Sequence, residues 1–127
     1  VAIVGSEPQI YFYARRRSAT GYIYTYPLME LHRYAGAMQR EMIREIEGAN
    51  PKYLVFVSAP RSWLPKPQSD MTIFHWFEAY QRDFTRVGVV DLLPRREPVY
   101  AWDDEAARYT PRSDIWLAVY ERRRSGP

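Results

Sequence analysis

The chain opens with four apolar residues, Val1 to Val4 (VAIV), closed by Gly5, the pattern of a strand buried on both faces. Ser6, Glu7 and Pro8 suit a helix start: a capping hydroxyl, a carboxylate at the positive end of the dipole, and a proline whose missing donor is unpaired in a first turn anyway. A short helix with an aromatic face is predicted over Ile10 to Arg17. A strand follows over Gly21 to Tyr26 (GYIYTY), where residue types alternate at period two. From Leu28 to Gly48, Leu31, Tyr34, Ala35, Met38, Met42 and Ile46 recur at three- and four-residue steps among charged positions, which predicts an amphipathic helix. Gly48 is placed to cap it in the left-handed conformation, and Asn50-Pro51 to stop it.

The apolar run Tyr53 to Val57 (YLVFV) reads as a central strand, and Ser58 to Ser69, with three prolines and no period, as a long loop. Ser69 can cap a third helix over Asp70 to Asp83, whose Ile73, Phe74, Phe77, Tyr80 and Phe84 form an apolar stripe. Arg86 to Leu93 is predicted as a strand. The short Pro94 to Glu97 connection then allows only an antiparallel neighbour, Pro98 to Trp102. A polar loop over Asp103 to Asp114 leads to a last strand, Ile115 to Tyr120, and the charged tail Glu121 to Pro127 is expected to fray. Strands alternating with helices through the first 93 residues predict a three-layer α/β/α sandwich of Rossmann-like type, its sheet mostly parallel with a C-terminal antiparallel hairpin.

Length and composition narrow the function classes. At 127 residues the chain fits a single domain over 1–127, and 46% apolar residues exclude a disordered tail. No apolar run approaches the ~18 residues of a membrane span. The absence of cysteine removes disulfides, thiolate catalysis and sulfur-ligated zinc, and two histidines make a histidine-rich metal site improbable. All but Lys52 and Lys66 of the 18 basic residues are arginine, yet the net charge is only +3 and the arginines are scattered among 15 acids. A nucleic-acid module would show a concentrated stripe, so no nucleic-acid partner is expected. No cofactor is expected either: Gly5-Ser6-Glu7-Pro8 is not a dinucleotide fingerprint, and neither a P-loop nor a Gly-x-Ser-x-Gly elbow occurs.

The candidate chemistry is recognition rather than catalysis. In open α/β sheets ligands bind beyond the carboxyl ends of strands, which directs attention to the loops after Val4, Tyr26, Val57 and Val90. Glu7 lies in the first of these, in a segment that also reads as a plain turn and cap. Arg16 and Arg17, in an arginine triplet with Arg15, can grip a phosphate or carboxylate, or simply complement a helix dipole. Tyr11, Tyr24 and Tyr26 can offer faces and hydroxyls to a sugar or headgroup, or pack at a core rim. Trp63, with Arg61 in the proline-rich loop, suits stacking or docking on another domain, or belongs to a plain mobile surface loop. His32 and His75 lack spaced second ligands, and Asp103-Asp104-Glu105 lacks the glycine and terminal glutamate of a calcium loop.

The segments Val1 to Pro8 (VAIVGSEP), Arg16 to Pro27 (RRSATGYIYTYP), Met38 to Glu47 (MQREMIREIE), Pro51 to Val57 and Trp102 to Ala106 resemble the soluble C-terminal domain of bacterial family 39 membrane glycosyltransferases, relatives of protein O-mannosyltransferases and of the lipid A aminoarabinose transferase. The resemblance implies a non-catalytic accessory domain, tethered to an N-terminal transmembrane portion at the extracytoplasmic (periplasmic) face of the inner membrane. That portion binds a polyprenyl-phosphate sugar and supplies the catalytic acids, so no catalytic residue is carried over. The expected partners are the membrane portion of the parent chain and a glycan or lipid-linked sugar, with Glu7, Tyr11, Arg16, Arg17, Tyr24, Tyr26 and Trp63 as ligand contacts. A start in mid-strand without methionine fits an excised fragment. The alternative is a self-standing sensor of small molecules or nucleotides with flavodoxin-like shape.

Overall fold

A computed structural model describes residues 1–125. Five strands, β1 (Ala2–Val4), β2 (Tyr53–Ser58), β3 (Phe84–Asp91), β4 (Val99–Trp102) and β5 (Trp116–Arg122), form one sheet in the order β1-β2-β5-β3-β4. The helices are α1 (Gln9–Ala14), α2 (Tyr26–Met29), α3 (Ala35–Ala49), α4 (Pro60–Trp63), α5 (Thr72–Tyr80), which runs on into a 3-10 turn, and α6 (Asp103–Arg108).

Only β1 and β2 pair in parallel; β5 runs antiparallel to both β2 and β3, and β4 antiparallel to β3. The mostly parallel, Rossmann-like sheet is thereby overturned, and the flavodoxin-like shape with it. The origin of the error is specific. β1, β2 and β3 do point the same way, as alternating strands and helices require, but β5, fifth in sequence, inserts between β2 and β3 and reverses every pairing it enters. Glu121 and Arg122, assigned to a fraying tail, belong to β5. The rest of that tail is described only to Ser125.

The layers differ as well. Strand register places Val4, Leu54, Phe56, Val89, Ala101, Ala118 and Tyr120 on one face, where Met42 and Ile46 of α3, Ile73 and Phe77 of α5 and Leu28 and Met29 of α2 complete the main core. On the other face, α1 alone lays Ile10 and Tyr11 against Ile3, Val55, Val57, Leu117 and Val119. The β4 end of that face has no helix over it: Tyr100 and Trp102 are each 58% exposed, and the Trp102 ring lies across Gly88, whose missing side chain leaves it room. The molecule is two-layered, with a third layer begun at one edge.

Two local corrections have clear causes. The GYIYTY segment is not a strand, because side chains satisfy its backbone donors: Glu45 accepts from the Gly21 N–H at 3.1 Å, Thr20 Oγ1 from Tyr22 at 3.1 Å, and Ser6 Oγ from Thr25 at 2.7 Å. The long helix over Leu28 to Gly48 is broken after Met29. His32 accepts the Tyr34 N–H through Nδ1 at 3.1 Å and donates through Nε2 to the Pro27 carbonyl at 2.8 Å, bonds that hold a turn and leave Leu31 and Tyr34 exposed. α3 runs through Gly48, and Asn50 (φ 44°) takes the left-handed cap. The loops also contain helix: α4 within Ser58 to Ser69, and α6 within Asp103 to Asp114, whose acidic residues occupy its first turn, where the dipole favours them.

Candidate functional site

The carboxyl end of β2 is where the chain concentrates both buried hydroxyls and aromatic rings. Gly5, leaving β1, has φ +148° and passes so close to β2 that a Cβ there would lie 2.7 Å from the Cβ of Val57. This contact delivers Ser6 into a closed hydroxyl network. The Ser6 N–H donates to Ser62 Oγ at 2.8 Å, Ser6 Oγ and Thr25 Oγ1 are 2.9 Å apart, and Thr25 Oγ1 donates to the Ser62 carbonyl at 3.0 Å. All three residues are buried with their groups satisfied, and no base adjoins them in the network, so it acts as a clasp joining β1, α2 and α4.

Beyond the clasp, a cleft of about 430 Å³ opens between the chain after β2 and the start of β5. It is lined by Phe56, Ser58, Pro60, Trp63, Pro65, Phe74, Ser113, Asp114 and Trp116, with Val57 and Ala59. Phe56 is the hub of its aromatic wall, with ring centroids 5.8 Å from Trp116, 6.4 Å from Trp63 and 6.4 Å from Phe74. Trp63 is 3% exposed and anchored, its indole N–H donating to the Val57 carbonyl at 2.8 Å. Phe74 and Trp116 are half-buried, and the exposed Asp114 and half-buried Ser58 supply polarity, whereas the Ser113 hydroxyl is engaged by Asp91 and the Ile115 backbone.

Asp91 holds one wall in place. Fully buried at the end of β3, its carboxylate accepts from Tyr109 Oη (2.8 Å), the Arg112 N–H (2.8 Å) and Ser113 Oγ (2.5 Å). Burial pushes its pKa up, but these donors outweigh burial and hold it below the ordinary carboxylate value. The segment carrying Ser113 and Asp114 is thus tied to the sheet.

The residues singled out in the sequence divide between the two ends of the sheet. Trp63 lines the cleft, and Glu7 lines an adjoining hollow of about 190 Å³ that shares Val57, Ala59 and Trp116 with it. Tyr24 and Tyr26 stack on each other at 6.0 Å and flank Thr25 of the clasp. Tyr11 turns inward, its hydroxyl accepting the Ile3 N–H at 3.0 Å, and burial raises its pKa. Arg16 and Arg17 lie at the opposite, amino end of β1, exposed. Phe56, Phe74, Trp116, Ser113 and Asp114 were not anticipated as a group. Their one sequence signal is Trp116 entering a strand directly behind Ser113-Asp114.

Among the described residues no group of three or more His, Asp or Glu side chains is arranged to hold a metal ion, and no helix is long and apolar enough to cross a membrane. The chain matches no family model, no curated protein and no solved structure, so the chemistry of the cleft rests on its own residues.

Proposed function

We propose that the chain is a non-catalytic accessory domain of a membrane glycosyltransferase that draws its sugar from a polyprenyl-phosphate carrier, and that it works on the extracytoplasmic side by holding a glycan acceptor. The resemblance of the segments around Val1 to Pro8, Arg16 to Pro27 and Met38 to Glu47 supports the parent enzyme. The observation that carries the glycan reading is the cleft: half-buried Phe74 and Trp116 rings, with the Asp114 carboxylate and the Ser58 hydroxyl among its lining. Ring faces stack on the C–H faces of a sugar while Asp114 accepts its hydroxyl protons, the mix of apolar wall and few polar groups that small-ligand sites use. Asp114 is the sole acid in that lining, whereas glycosyl chemistry of the common type takes a pair of carboxylates, so the cleft is read as binding.

Titration of the protein with oligosaccharides and with polyprenyl-phosphate sugars, followed by NMR, tests the proposal. Amide shifts are expected to cluster on Ser58 to Trp63 and Ser113 to Trp116, and Trp116→Ala or Asp114→Asn is expected to weaken binding at least ~10-fold, the loss of one good contact. Shifts that fail to cluster there, or binding that ignores both substitutions, reject the cleft as the glycan site.

A further inference from the structure

The opposite end of the sheet carries a different surface. Register sets the amino ends of β1, β2 and β3 and the carboxyl end of β5 in one row, since Ala2 pairs with Leu54, Tyr53 with Glu121, and Phe84 with Arg122. Onto this row the chain brings Arg15, Arg16 and Arg17 after α1, Arg82 before β3, and Arg123 and Arg124 after β5. The Ala19 N–H donates to the Val1 carbonyl at 2.9 Å and fixes the first group to β1; the Arg123 N–H donates to the Asp83 carbonyl at 3.0 Å and fixes the second to β3. All six arginines are exposed. Among the described residues the ion pairs within 4 Å are Lys52–Glu121 and Lys66–Glu30, so none of the six is matched by a carboxylate at that distance. Four strands at ~4.8 Å spacing make the row about 15 Å wide. Six of the 16 arginines, from three separate stretches of the sequence, are gathered at one pole.

Beside that pole stand two apolar rings with nothing over them. α1 turns Ile10 and Tyr11 inward and leaves Phe12 78% and Tyr13 80% exposed, packed edge to face at 5.4 Å. The helix then ends in a Schellman turn, with the Arg16 N–H on the Tyr11 carbonyl (3.1 Å) and the Arg15 N–H on the Phe12 carbonyl (3.2 Å). Arg15 occupies its left-handed position (φ 51°), where glycine is the unstrained residue. The chain keeps a cation there.

We propose that this pole, with Phe12 and Tyr13 as its apolar tip, docks on an anionic lipid surface. Charge complementarity argues for an anion-rich partner, and the rings select a bilayer over a soluble polyanion. Exposed aromatics beside arginines lie at the headgroup boundary, with apolar parts inserted and cations at the phosphates. Phe12 and Tyr13, nearly perpendicular at 79°, offer no common flat platform for stacked bases. The inference stands apart from the glycan cleft, which is at the other end of the sheet.

Sedimentation of the protein with vesicles of phosphatidylcholine, with and without phosphatidylglycerol, is the test. Binding is expected to the anionic vesicles only, and to fall with added salt. Charge removal in Arg15→Gln/Arg16→Gln/Arg17→Gln is expected to weaken it on the order of 100-fold, from the usual contribution of a basic residue near an anionic membrane. Phe12→Ser/Tyr13→Ser should weaken it with no change in thermal unfolding, because both rings are outside the core. Arg15→Gly separates surface from fold: unfolding should shift to higher temperature while vesicle binding drops. Equal binding to neutral vesicles, or anionic binding that survives loss of both rings and is competed fully by heparin, would overturn the proposal.

Discussion

The indole N–H of Trp63 donates to the carbonyl of Val57 at 2.8 Å, so the aromatic wall of the cleft is bonded to the strand that supports it. Trp63→Phe removes this bond and leaves a void beside Phe56 and Phe74. A loss of about 1 to 3 kcal/mol is expected from the missing bond and the unfilled volume together. Urea unfolding should show it as a lower midpoint at unchanged slope.

Gly5→Ala tests the close approach of β1 to β2. The added methyl group meets the Val57 Cβ at 2.7 Å, a contact with the branch point of a β-branched core residue, and φ +148° is hostile to any side chain. Steric strain and backbone strain act together, and about 2 to 5 kcal/mol of destabilisation is expected. Circular dichroism melts measure it, and an unchanged melting temperature would contradict the packing of Gly5 on Val57.

Asp91 makes stability depend on acid. Its pKa is lower in the folded chain than the ~3.9 of an unfolded aspartate, so its contribution is complete above that value and is lost as pH falls through the folded pKa. Asp91→Ala is expected to cost about 2 to 3 kcal/mol at neutral pH, because buried donors from Tyr109, Arg112 and Ser113 lose their acceptor. Asp91→Asn should cost less: the Ser113 hydroxyl already reaches the Ile115 carbonyl at 2.9 Å and can accept from the new amide while donating there. Denaturation midpoints from neutral pH down to the carboxylate range should fall less steeply in both variants than in the parent chain.

How much of this could be read from the chain follows the range of the interactions. Periodicity located the core faces of α3 and α5, where burial repeats locally through Met42 and Ile46 or Ile73 and Phe77. The antiparallel pairing of β3 and β4 was legible from a short connection, read as Pro94 to Glu97 and in the structure the seven residues Leu92 to Pro98. Alternation failed at Tyr22 to Tyr26 because partners distant in sequence, Glu45 and Ser6, take the donors a strand would have paired, and no local pattern carries that information. The aromatic cleft was hidden for the same reason. Phe56, Trp63, Phe74 and Trp116 come from four elements, and only the insertion of β5 beside β2 puts Trp116 opposite Ser58. Of the earlier candidates Trp63 stands in the cleft and Glu7 next to it, while Arg16 and Arg17 face the other way.

That insertion sets an order of assembly. Without β5 the sheet is two ribbons, β1 with β2 and β3 with β4, whose inner edges present unpaired backbone groups to solvent. Synthesis from the amino end makes both ribbons before Trp116 to Arg122 emerges, so the strand that joins them follows all four of the strands it organises. During that interval the β2 and β3 edges are open to pairing with other chains, and the arrival of β5 closes both at once.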